Sequence, residues 1–158
     1  MATGLFGAVM GYVGYRRSNQ IKALDLRLEL RKGLASAHES LSTLRELLDA
    51  AAPSRMATLA ARGLGRSGAS VAWEQALNAD RAEVDRLAAS LRDEATDFRD
   101  YSAEKLESEI VSVHKSAAGL ASLITKYRNE LAADDDARRM IAQNMTAINA
   151  ARTRPQGQ

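Results

Sequence analysis

One run of residues constrains this chain more than any other. Leu106, Ile110, Val113, Ala117, Leu120, Ile124, Tyr127 and Leu131 recur at 4-3-4-3-4-3-4 spacing. Alternating intervals of four and three place all eight side chains on one stripe of an α-helix, and such a stripe is stable in water only against another helix. A half-buried strand would need period two instead. The spacing therefore predicts a long helix over 104–131 and at least one partner for it.

The rest of the chain supplies partners of the same kind. Aromatic residues are 4% and hydrophobic residues 46%, so the core is built from Leu, Ala, Ile and Val. Side-chain entropy makes the abundant Leu and Ala helix formers, and one all-α domain is expected from 158 residues. A helix is predicted over 18–51, with Leu24, Leu28, Leu34, Leu41, Leu44 and Leu48 near one stripe. Inside it LDLRLELR (24–31) alternates like a strand. Leu, Glu and Arg favour helix, however, and no second strand is visible to pair with it. Read as helix, its leucines spread around the circumference and imply contacts on more than one side. Pro53 is expected to end or kink this helix, with SRMATLAAR (54–62) a short continuation capped by Ser54. GLGRSGAS (63–70) is the clearest loop.

Beyond the loop Trp73, Leu77, Val84, Leu87, Leu91, Ala95 and Phe98 predict a second helix, with Asp80, Glu83, Asp93, Glu94 and Asp97 on its solvated face. The apolar phase changes between Phe98 and Leu106, where Asp100 or Ser102 can cap a new helix. With no Gly or Pro there, one bent helix is the alternative. Asp134 to Asp136 are expected to cap a last helix, with Ile141, Met145 and Ile148 inward, and 154–158 reads as a disordered tail. Helices with one apolar face each are buried most economically as an antiparallel helical bundle, or coiled coil, over 18–153.

Residues 1–17 stand apart as a short apolar segment. MATGLFGAVMGYVGY has no charged side chain and is followed by Arg16 and Arg17. As a helix it aligns Gly4, Gly7, Gly11 and Gly14 at 3-4-3 spacing, a small-residue stripe suited to close helix approach in lipid. Tyr12 and Tyr15 beside the arginines suit a headgroup boundary. Fifteen residues span only about 22 Å against about 30 Å of hydrocarbon, so a span needs snorkelling or local thinning. No basic residue precedes the apolar run and no small-x-small site follows it, which argues against a secretory signal. A membrane anchor is the favoured reading. A helix buried in a homo-oligomer and an interfacial leader stay open.

Charge is unevenly placed. Residues 1–32 carry six basic and two acidic groups, whereas 67–100 carry four basic and eight acidic. Basicity beside an apolar segment fits a membrane surface better than nucleic acid, and a positive-inside bias leaves the helical body in the cytoplasm.

Nothing marks a catalytic, cofactor-binding or metal site. No cysteine is present, and His38 and His114 lack the i+3 or i+4 partners of helical metal motifs. GLGRSG has no Lys where a phosphate loop needs one. Trp73 is expected to plug one end of the core, with a partner-binding anchor as the sharper alternative.

An apolar segment, an arginine pair and a charged leucine-rich helix over 4–34 resemble small bacterial membrane-tethered helical proteins. RKGLASAHES (31–40) is similar to the tether region of the ATP synthase b subunit. The shorter leader, Pro53 and the glycine loop depart from that family's uninterrupted stalk, so its function is not carried over. The resulting expectation is a non-enzymatic membrane-associated scaffold or adaptor. Its partners would be membrane lipid and either itself or another protein, with no nucleic acid and no small-molecule substrate. The alternative is a soluble homo-oligomeric structural or assembly protein, such as a phage or secretion-machine component.

Overall fold

The computed structural model describes residues 3–153, with side chains for 21–152. Three helices account for nearly all of it: α1 (Thr3–Ala61), α2 (Gly68–Ser90) and α3 (Ala103–Thr153). No strand occurs among the described residues, so LDLRLELR is helix. The surroundings of Gly4, Gly7, Gly11 and Gly14, the side chains of Tyr12, Tyr15, Arg16 and Arg17, and the tail 154–158 lie outside what the structure describes.

Each helix buries a seam of alternating three- and four-residue intervals. On α1 it runs through Leu30, Leu34, Ala37, Leu41, Leu44, Leu48 and Ala51, all at most 6% exposed. On α3 Leu106, Ile110, Val113, Leu120 and Tyr127 are buried as the spacing predicts. Leu24 and Leu28 are not on the α1 seam. They are 64% and 54% exposed. At about 100° per residue Leu28 lies about 200° around the helix from Leu30, so the strict alternation puts successive leucines on opposite sides.

The chain forms two compact units, each drawing on all three helices: 1–39 with 87–119, and 40–86 with 120–158. In the first unit Leu30, Leu34, Leu87, Phe98, Leu106 and Val113 form the core. Two glycines permit close helix approach there. A Cβ on Gly33 would meet Val113 Cγ1 at 3.2 Å, and one on Gly119 would meet Leu87 Cδ1 at 3.3 Å. In the second unit Leu44, Leu48, Leu77, Val84, Leu120 and Tyr127 do the same work.

Three predicted boundaries are corrected. Pro53 lies inside α1 and does not end it. The missing N–H removes one backbone bond, but Leu48 and Ala51 before it and Thr58 and Leu59 after it are all buried, so packing holds both sides in one helix. Second, α2 stops at Ser90 and does not reach Phe98. Side-chain acceptors compete with the helix there: Asp93 Oδ1 takes the Ala95 N–H at 2.8 Å and Asp97 Oδ1 takes that of Arg99 at 3.0 Å. Ser102 then caps α3, its Oγ accepting the Lys105 N–H at 3.3 Å. Residues 71–131 are therefore two helices, and Phe98 is buried from a non-helical connection. Third, Asp134 to Asp136 cap nothing, because α3 continues through them.

The predicted loop over 63–70 is shorter than expected: α1 ends at Ala61 and Gly68 to Ser70 already belong to α2. Gly63 adopts φ 74°, the Gly63 N–H bonds to Ala60 O at 2.9 Å, and the Leu64 N–H reaches back to Leu59 O at 2.8 Å. That double bond with a left-handed glycine is the Schellman ending of a helix.

Candidate functional site

Two features depart from the apolar seam, and each is a candidate for function. The first is a polar layer within the second unit. The α3 seam spacing continues past Leu131 to residue 134, where an aspartate stands instead of an apolar residue. Asp134 is 2% exposed. Its Oδ1 lies 3.3 Å from Arg55 Nε on α1, and its Oδ2 accepts a 3.3 Å hydrogen bond from Ser54. Arg138 Nη1 donates to Ser54 Oγ at 2.9 Å and pairs with Asp135 through its other nitrogen. Arg55 also lies 3.6 Å from Glu130, and Glu130 accepts the indole N–H of Trp73 at 3.0 Å. The Arg55 guanidinium sits 5.9 Å from the Trp73 ring centre. Nearby on α1, the Thr58 hydroxyl is buried without a hydrogen-bond partner.

Trp73 is half-buried, with its polar edge committed to Glu130. One side of it borders an open depression shared with Pro53, Met56 and Leu77. Further along α2, Asp80 was expected on the solvated face but points inward. It accepts a 2.6 Å hydrogen bond from the Tyr127 hydroxyl and pairs with Lys126. Burial, reinforced by that bond to a carboxylate, pushes the Tyr127 hydroxyl well above the ordinary tyrosine range. Asp80 lies seven residues after Trp73, so it falls on the α2 seam and not opposite it.

The histidines take structural roles or face water. His38 Nε2 lies 2.9 Å from the carbonyl of Arg92, which makes it the donor, and His114 is exposed. Among the described residues no group of three or more His, Asp or Glu side chains is arranged to hold a metal ion.

The second feature is apolar surface without a partner among the described residues. On α1 Ile21, Leu24 and Leu28 are each more than half exposed. Leu24 and Leu28 border an open depression of about 370 Å³ with Asp25, Arg27, Arg31 and Arg99. On α3 the seam phase continues to Ile141, Met145 and Ile148, which were expected inward. Met145 is 55% and Ile148 47% exposed, and Ile141 is half-buried. Among the described residues no helix is long and apolar enough to cross a membrane.

These features define the class: an all-α protein of long helices with coiled-coil-like seams, a polar layer in one unit, and apolar stripes left uncovered. Comparison with protein families, with characterised proteins and with solved structures returned no match.

Proposed function

We propose that the chain is a non-enzymatic, membrane-associated helical scaffold. The body is an antiparallel bundle, with α2 running against its neighbours. Contact order supports this: Trp73 meets Glu130 while Asp80 meets Tyr127, so numbers fall along α2 as they rise along α3. Similarly Met56 and Trp73 flank one depression while Arg45 and Asp85 flank another.

The observation that carries the membrane reading is the continuity of α1. One helix runs from Thr3, within the uncharged N-terminal stretch, to the buried seam of Leu30 to Ala51; Lys22 is exposed between the two, and Arg31 and Lys32 are exposed at the start of the seam. Anything that fixes the N-terminal end of such a helix positions the packed body directly. The depressions beside Leu24, Arg45 and Ser90 are open to solvent, which suits docking of extended partners more than enclosure of a substrate.

One observation favours the second reading, a soluble homo-oligomer: the α3 seam keeps its phase through Met145 and Ile148, which are exposed. Size-exclusion chromatography of the full chain with and without detergent separates the two. The scaffold reading expects aggregation or membrane retention that detergent relieves. A discrete oligomer in detergent-free buffer would exclude it in favour of the second.

A further inference from the structure

We propose that the outward face of α1 over residues 21–32 docks along an anionic lipid surface. The proposal rests on the membrane reading above and deepens it by naming the surface and its chemistry. Ile21, Leu24 and Leu28 follow 3-4 spacing and are 58%, 64% and 54% exposed. They occupy the side of the helix away from Leu30, which is 1% exposed, so the packed body does not cover them. At about 100° per residue Arg31 and Lys32 lie about 60° and 40° to either side of Leu28 and frame the apolar stripe. Both are exposed and neither makes an ion pair among the described residues. Arg27, about 100° around the helix from Leu28, donates to the carbonyls of Phe98 and Arg99, at 3.1 and 2.6 Å, so it is committed to the fold at the edge of this face.

Charge complementarity selects the occupant. Residues 16–32 hold six basic groups against Asp25 and Glu29. A helix with an apolar stripe between cations is the form that lies in a headgroup layer, the apolar side chains entering the acyl boundary and the cations reaching lipid phosphates. A second copy of the chain fits less well. Three aliphatic side chains present far less than the about 800 Å² per partner of a stable dimer, and pairing this face with itself would bring like charges together.

The test measures partition of the full-length chain onto neutral phosphatidylcholine vesicles and onto vesicles containing phosphatidylserine. Tighter binding to the anionic vesicles is expected, with the difference shrinking as salt is raised. Arg31→Gln/Lys32→Gln should weaken binding to anionic vesicles about thirty-fold and leave neutral vesicles unaffected. Leu24→Ser/Leu28→Ser, at exposed positions that keep the helix by circular dichroism, should weaken binding to both. Equal binding of the wild type to both lipids, or variants that bind like it, would overturn the proposal while leaving the anchor in place. No binding to either vesicle would remove both. A vesicle-free dimer that Leu24→Ser/Leu28→Ser dissociates would assign the face to a second copy and also overturn it.

Discussion

Replacing Asp134 tests whether the polar layer is a paired element of the core or an incidental contact. The carboxylate is 2% exposed, contacts Arg55 at 3.3 Å and accepts from Ser54 at 3.3 Å. Removing one partner of a buried ion pair costs about 3–5 kcal/mol, most of it the desolvated charge left behind. Here Arg55 keeps 24% of its side chain in water and retains Glu130 at 3.6 Å, so the stranded cation is partly compensated. Asp134→Ala is therefore expected to cost about 2–3 kcal/mol, or about 5–10 °C in Tm for a chain of this size. Arg55→Leu/Asp134→Leu instead fills two seam positions with the residue the seam uses elsewhere. Substitution of a whole buried pair by apolar residues is often neutral or stabilising, so the double variant should lie within about 1 kcal/mol of wild type or above it. Urea unfolding followed at 222 nm gives both values and their coupling. A cost below about 1 kcal/mol for Asp134→Ala, or a double variant as unstable as the sum of the singles, would refute the reasoning.

Other substitutions test separate links. Tyr127→Phe removes a hydrogen bond to a carboxylate and should cost about 1.5–3 kcal/mol at neutral pH by urea unfolding. Because the folded Tyr127 hydroxyl holds its proton above the unfolded value, its contribution is complete below about pH 10 and declines as pH rises further, and the wild-type advantage over Tyr127→Phe should shrink in that range. Gly63→Ala meets no atom within 4 Å but must hold φ 74°, so thermal melting should show a loss of about 1–2 kcal/mol from backbone strain alone. Pro53→Ala restores a helical N–H inside α1 and should raise stability by about 1–3 kcal/mol in urea titrations.

The periodic parts of the fold were legible in the sequence because their physics is local. The 106–131 spacing named the buried face of α3, whereas the alternation in LDLRLELR, read as contacts on more than one side of α1, leaves Leu24 and Leu28 exposed. The ends of helices were less legible. Phe98 has the right hydrophobicity for the core but reaches it from a loop held by Arg27, a contact 71 residues away in the chain. Pro53 reads as a breaker because the packing that outweighs it comes from distant residues. The polar layer was hidden for a related reason: Asp134 and Asp80 look like cap and surface carboxylates until Arg55 and Tyr127 arrive from other helices. Counting the seam phase onward from Leu131 and from Trp73 lands on both aspartates, and that signal was available in the sequence.

The most direct test of the central claim is vesicle flotation of the full chain beside a chain beginning at Ser18, which retains the whole buried seam from Leu30 onward. A membrane scaffold predicts that the full chain rises with the vesicles, including at high salt, and that the shortened chain loses the salt-resistant fraction. A full chain that stays at the bottom of the gradient as a folded, discrete species would contradict it.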